Sequence, residues 1–362
     1  MSIILFLLVL FVLILVHEWG HFIVAKKTGM RVDEFAIGFP PKLFSIKKGE
    51  TEYSFNALPI GGFVRIFGEN LDTAKDTLDQ PRSFAARPKW AQALVLVAGV
   101  TMNVIFAWFL FALTFMIGVP TAIDEAVATP ESVLYINGIL PGGPLSGVLP
   151  AGAEVLSLAS TEETLAKPVP STFTAFVQKY GAEELTLTYS FKGEEKTVEV
   201  MPVVGLISTE PERVAVGVSL ALVEDVKQSF GTALISASVA TWTGLRDITV
   251  GLFKLIADSI RGVADFTQVA GPVGIVGMVG DAASFGLTSL LTFTALISLN
   301  LAVINMLPIP ALDGGRLVFV AIEAVTRKPI NPIWAGRINL VGFALLMILM
   351  VVVTWNDIAR LL

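Results

Sequence analysis

His17-Glu18-Trp19-Gly20-His21 sits near the end of an apolar run that begins at Ile3. Histidines four residues apart on a helix project from one face, one turn apart. Both imidazoles can therefore reach a single tetrahedral Zn²⁺, while the Glu between them addresses a water on the metal. The same pattern arises by chance in many helices. Here the chain holds only two histidines and this stretch uses both. The competing reading is a pair of core or membrane-interface histidines satisfied by backbone carbonyls.

The surrounding composition places this helix in a bilayer. Of 362 residues, 54% are hydrophobic and 15% charged, too apolar a balance for an ordinary soluble domain. The first run, about 3–25, ends at Lys26-Lys27 and has no basic segment before it. Its polar residues lie inside the run, so it reads as a spanning helix and not as a cleavable signal peptide. Ionisable groups within a span are costly in hydrocarbon and mark functional sites. With no cysteine, neither disulfides nor a thiolate-held metal is available. The net charge of −6 argues against nucleic acid as a partner.

Outward from the motif, residues 26–90 carry a run of basic side chains that the positive-inside rule makes cytoplasmic. Within them, Tyr53–Ile66 reads as extended segments around the turn Leu58-Pro59-Ile60-Gly61-Gly62. It is either a structural hairpin or an exposed strand edge able to pair with an unfolded substrate segment, with Tyr53, Phe55, Gly61, Gly62, Phe63 and Val64 as contacts. A second span, about 91–119, holds Asn103, read first as interhelical hydrogen-bond glue and second as a site contact.

From 120 to 224 acidic residues predominate, as expected of an extracytoplasmic domain. Residues 225–284 follow, and 225–264 reads as amphipathic helix lying on the outer membrane surface, with a spanning reading as the alternative. Gly271-Pro272-Val273-Gly274-Ile275 reads as a turn. The C-terminal membrane segment, 285–362, contains a third span, about 285–307, and a fourth, about 338–355. The third runs into Asn305-Met306-Leu307-Pro308-Ile309-Pro310-Ala311-Leu312-Asp313-Gly314-Gly315, a broken helix by its prolines and glycines. Asp313 before two glycines is by itself an ordinary turn. With His17 and His21 it completes a two-His, one-carboxylate set that leaves a fourth position for water. Arg316, Arg327, Lys328 and Arg337 form a second basic loop. The outcome is a polytopic α-helical membrane protein with four spans, both termini outside, a membrane-associated β-hairpin and an inserted α+β domain.

Two further stretches carry a resemblance. Gly138–Gly147 leading into Leu149–Leu158, a helix over Phe173–Tyr180 and strands at Leu185–Phe191 and Lys196–Met201 resemble a PDZ domain of the bacterial protease type, with Gly152-Ala153 where a Gly-Asp is usual. The missing peptide-binding strand is supplied late by Val216–Leu220, a circularly permuted order, so Gly217, Val218, Ser219 and Leu220 would border a groove. A steric filter or spacer is the other reading of this domain. The histidine motif, Asn305-x-x-Pro308-x-Pro310-x-x-Asp313-Gly314 and the PDZ-like insert together resemble the site-2 protease family, in its bacterial regulator-of-sigma-E branch. The resemblance implies an intramembrane zinc metalloprotease of a bacterial inner membrane, with one Zn²⁺ held by His17, His21 and Asp313 and Glu18 as general base. It implies a substrate-guiding hairpin at Tyr53–Ile66, substrate contact by Asn305, and a site toward the cytoplasm. Its substrates would be single-span membrane proteins, such as anti-sigma-factor remnants or leftover signal peptides, either whole or pre-trimmed by another protease. A non-catalytic membrane scaffold or chaperone with a structural zinc, and a zinc sensor or transporter, are the alternatives.

Overall fold

The computed structural model describes residues 1–69, 80–191, 193–206, 210, 212–263 and 270–361. Part of the expected cytoplasmic segment, 70–79, and the end of the amphipathic stretch, 264–269, lie outside them. The chain divides into two compact units, 1–114 with 230–362, and 115–229.

Among the described residues of the first unit four helices are long and apolar enough to cross a membrane: α1 (Ser2–Lys27), α2 (Lys89–Ile117), α6 (Leu287–Asn305) and Ile333–Arg360 within α8 (Pro332–Leu361). The 26 residues of α1 rise about 39 Å, more than the ~30 Å hydrocarbon core requires. Its last turn carries Lys26 and Lys27, which suit both the helix dipole and a headgroup layer.

Between α1 and α2 lie two long strands, β1 (Val32–Lys48) and β2 (Thr51–Ile66). Both bend, so two strands make four rows. Ala36 faces Phe63 on one edge and Ser54 on the other, and Ser54 in turn also faces Ser45. The row order is 62–66, 34–37, 52–56, 42–48. This corrects the reading of 53–66 as a self-contained edge: Tyr53 and Phe55 are paired on both sides, with Phe35 and Ile46 and with Ile37 and Phe44. Among the described residues, no strand pairs with the outer edge of the row beginning at Gly62. Glu50, in the turn between the strands, accepts hydrogen bonds from Arg82 and Lys26, which hold its carboxyl down to about 2 and tie the hairpin to the end of α1.

After the second unit, α4 (Phe230–Ile260) is one continuous helix. Its buried stripe of Ala233, Ala237 and Thr241 repeats every four residues. Trp108 of α2 donates to Ser238 at 3.0 Å, and a side chain at Gly244 would press on Leu299 of α6. Helix α4 therefore packs against α6 and meets α2 at Ser238; residues 225 and 226, expected in the amphipathic stretch, belong to a strand instead. Residues 272–275, read as a turn, open α5 (Pro272–Ser284). Proline is at home in a first helical turn, and the Asp357 carboxylate of α8 accepts the N–H groups of Gly271 at 3.0 Å and Gly274 at 2.8 Å. The expected basic loop is largely helical too: Arg316 lies in α7 (Asp313–Thr326) and Arg337 in α8.

The second unit is built on a sheet of order β3-β11-β4-β5-β7-β8, from β3 (Val119–Ala122), β4 (Val133–Ile139), β5 (Glu154–Ala159), β7 (Leu185–Phe191), β8 (Glu194–Val200) and β11 (Val218–Val226). A short β6 (Thr164–Ala166) pairs with β5, and β9 (Val203–Val204) pairs with β10 (Val214–Ala215). Helix α3 (Pro170–Lys179) contributes Phe173, Phe176 and Val177 to a core with Leu134, Leu158 and Leu187. Leu158 is fully buried, so Leu158→Ala is expected to cost about 2–5 kcal/mol, read as a lowered midpoint of thermal unfolding.

Candidate metal centre

The helical period brings His17 and His21 to one face of α1, and α2 must approach that face closely for the imidazoles to be enclosed. Gly99 permits it: a Cβ there would stand 2.7 Å from His17 Cε1. Gly20 does the same in reverse, lying against the Ala98 carbonyl. Asp313 arrives from the other end of the chain. It opens α7, and Gly314 and Gly315 let that first turn settle on the carbonyls of Met306, Leu307 and Ile309, which side chains would push away. The stretch read as a possible turn is therefore a helix start.

These elements converge. His17 Nε2 and His21 Nε2 are 3.1 Å apart, and Asp313 Oδ2 lies 3.1 Å from the first and 3.3 Å from the second. Ligand atoms on a tetrahedral zinc, at about 2.0–2.1 Å from the ion, stand about 3.3 Å from one another, so this triangle fits the ion without rearrangement. Both histidines are buried, at 9% and 8% exposure.

The outer ring nitrogens are also held. His21 Nδ1 lies 2.7 Å from the Val95 carbonyl, which can only accept, so this nitrogen carries the proton and Nε2 is left with its lone pair inward. The side-chain amide of Asn103 is 3.3 Å from His17 Nδ1. Asn103 is fully buried and its Oδ1 has no protein partner among the described residues. Turned with Oδ1 toward the ring, the amide gives His17 the same tautomer as His21. The backbone carbonyl of Asn103 accepts from Ser298 Oγ of α6 at 2.8 Å, which anchors the group from a third helix.

Glu18 points to a different neighbour. Its Oε2 accepts the Val64 N–H at 3.1 Å, so the open row of the β-sheet lies against this carboxylate, and Gly62 stands beside its side chain. Beyond the row, Arg316 of α7 pairs with Glu69.

Of the residues singled out from sequence, the structure gathers His17, His21, Asp313 and, through Glu18, Gly62 and Val64. Gly61 and Phe63 lie along the same row, against Phe39. Tyr53 and Phe55 line a separate apolar cavity of about 440 Å³ with Trp19 and Met102. Asn305 ends α6, and no hydrogen bond among the described residues joins it to the His17–His21–Asp313 cluster. Gly217, Val218, Ser219 and Leu220 line a cavity of about 520 Å³ in the second unit. Gly99 and the Val95 carbonyl were not singled out from sequence, and a small residue in an apolar helix gives no signal of which neighbour it admits.

Known proteins match the chain along nearly its whole length. Residues 5–349 match the model of peptidase family M50. The chain is 32% identical to the zinc metalloprotease RasP of Shouchella clausii, with 98% of each chain covered. It is 31% identical to the RasP of Oceanobacillus iheyensis, with 99% of each covered, and 30% identical to that of Geobacillus kaustophilus, covering 99% of this chain and 98% of the relative. A zinc-sized triangle of two imidazoles and a carboxylate among apolar helices, in a chain matched from end to end by zinc metalloproteases, has one reading: the chain belongs to peptidase family M50, the site-2 proteases, and is an intramembrane zinc metalloprotease.

Proposed function

We propose that His17, His21 and Asp313 hold one zinc per chain and that Glu18 is the general base for hydrolysis of a peptide bond in, or next to, the membrane segment of a single-span protein. The convergence of three ligand atoms from α1 and α7 within hydrogen-bond distance of one another carries this reading. Bound there, zinc supplies Lewis-acid chemistry, acidifying water and polarising the scissile carbonyl. Glu18 Oε2 is occupied by the Val64 N–H, so Oε1 is the oxygen that takes a proton from water and later returns it to the leaving nitrogen.

A substrate helix hides its carbonyls in its own hydrogen bonds and must unwind before it can be cut. Among the described residues no strand pairs with the outer edge of the row from Gly62 to Ile66, where Glu18 holds the Val64 N–H and Glu69 holds the Ile66 N–H and carbonyl, so an unwound segment that displaces these contacts exchanges its helical bonds for strand bonds there. Both termini and the unit 115–229 lie outside a bacterial cytoplasmic membrane, with the metal toward the cytoplasm, an orientation supported by the basic segments beside the motif helix. The unit 115–229 is a circularly permuted PDZ-like domain whose groove lies between α3 and β11.

Cleavage of a single-span reporter by the purified chain in detergent tests this. Cleavage should stop with a zinc chelator and return with added Zn²⁺, and undiminished cleavage in chelator would refute it. Gly99→Ala offers a sharper test of the cluster. Its Cβ would displace both imidazole rings, His21 first, so zinc affinity measured by chelator competition is expected to fall about 10–100-fold, whereas Gly277→Ala, with open space around it, leaves affinity unchanged.

A further inference from the structure

Two carboxylates hold the outer edge of the sheet row beside the metal, one from α1 and one from the row's own end. Phe67 donates its N–H to the Arg31 carbonyl at 2.9 Å, on the side where 62–66 pairs with β1. Successive residues of a strand turn their polar groups to alternate edges, so Val64 and Ile66 present theirs to the outer edge. Val64 meets Glu18 of α1 there. Ile66 meets Glu69, through a tight turn over Ile66-Phe67-Gly68-Glu69. Gly68 takes φ +70°, which glycine adopts without strain, and the Glu69 N–H closes the turn on the Ile66 carbonyl at 3.2 Å. The turn brings the Glu69 side chain back to accept the Ile66 N–H at 3.4 Å.

The other oxygen of Glu69 pairs with Arg316 of α7. Arg316 follows Asp313 by three residues, so the two share a face of that helix. One ion pair therefore joins the edge of the sheet to the helix that carries the third ligand of the metal set, as Glu18 joins it to the helix that carries the first two. The row depends on such joints. Among the described residues strand bonds restrain it on one side only, and it opens with Gly61 and Gly62, whose backbone is the least restrained of any residue. The Arg316 side chain remains 30% exposed, so the pair adds little to folding stability. What it adds is a fixed position.

We infer that Arg316 and Glu69 are positioning residues of the peptidase: they set the docking edge at a fixed distance from the metal and so place the scissile carbonyl of a segment paired to it. The inference rests on the docking edge proposed above and adds what holds that edge in place. Without the pair the edge still offers its backbone groups, so substrate still binds. Its Ile66 end is then free to swing away from α7, and a misplacement of about 1 Å costs on the order of 100-fold in rate. Arg316 and Glu69 are outside the triangle of His17, His21 and Asp313, so the metal set is left intact.

The test measures kcat and KM for Glu69→Gln, Arg316→Gln, the double variant and Arg316→Lys, as full-length chains in detergent with a synthetic single-span peptide. Glu69→Gln keeps an oxygen for the Ile66 N–H and loses the ion pair. Each single glutamine variant is expected to lower kcat about 10–100-fold with KM within about twofold, while zinc affinity and the unfolding midpoint stay near the parent's. The double variant should lose no more than either single, because both side chains act through one contact. Arg316→Lys keeps the charge and should recover most of the rate. A kcat within about twofold of the parent, losses that multiply in the double variant, or zinc affinity that falls in step with rate would overturn the inference. Failure of both single variants to fold would do so too, by making the pair a structural tie. The docking edge is tested separately on the parent chain, by methylating the peptide's backbone nitrogens one at a time away from the scissile bond. A paired strand loses cleavage at alternate positions. Indifference at every position would sink the docking edge and the inference with it, whereas alternate sensitivity with unchanged kcat in the variants would sink the inference alone.

Discussion

Glu18→Gln is expected to lower cleavage of a membrane-embedded reporter by about 10³-fold while leaving zinc content and thermal unfolding unchanged. The separation follows from the two jobs this side chain has. Its Oε2 accepts the Val64 N–H, and the carbonyl oxygen of a glutamine accepts the same bond, so the open row of the sheet stays where it is. Glutamine adds no bulk and Glu18 is not in the ligand triangle of His17, His21 and Asp313, so the metal set is undisturbed. What is lost is the capacity to hold a proton between water and the leaving nitrogen. Zinc stoichiometry by elemental analysis and a reporter cleavage rate measured on one preparation give both halves of the answer. A rate within about tenfold of the parent would remove Glu18 as the base.

The sequence disclosed the parts of this site that depend on period and the four spans that depend on length. His17 and His21 are legible because a helix returns to the same face after four residues, and the break after α6 is legible because prolines and glycines cannot continue it. The β-sheet was readable only in half. Tyr53–Ile66 shows the alternation of a strand, but Val32–Lys48 contains Gly38 and the pair Pro40-Pro41, which argue against a strand in isolation. The bend those residues allow is what lets one strand pair with both halves of the other, turning Tyr53 and Phe55 from edge residues into interior ones. Asp313-Gly314-Gly315 misled in the opposite way. In a soluble loop such glycines supply turns; here they remove side chains from a helix start that must touch three carbonyls. Asn103 was ambiguous for a chemical reason: an amide in an apolar helix needs a partner, and whether the partner is another helix or the back of an imidazole is decided by tertiary contact. It has both, His17 through its side chain and Ser298 through its backbone.

Asp313→Asn is the second large effect, and it separates metal binding from folding. An asparagine at this position still fits the first turn of α7 and keeps an oxygen near both imidazoles, but it carries no charge and presents an N–H₂ group on its other side. Two neutral imidazoles and an amide are a poor set for zinc, so affinity is expected to fall by about 100-fold or more, and the purified protein to hold well under one equivalent. A misfolded variant would give the same low zinc content, and linkage distinguishes the two. A ligand that binds only the folded state stabilises it by RT ln(1 + [L]/Kd), which is about 2.7 kcal/mol at a hundredfold excess over Kd. The parent chain should therefore unfold at a higher temperature with zinc than with chelator. Asp313→Asn should unfold in chelator near the parent's chelated midpoint and gain little when zinc at the same concentration is added. If the variant kept a full equivalent of zinc and the whole zinc-dependent rise in midpoint, Asp313 would not be a ligand. The close approach of its Oδ2 to His17 and His21 would then be an ordinary hydrogen-bonded tie between α1 and α7.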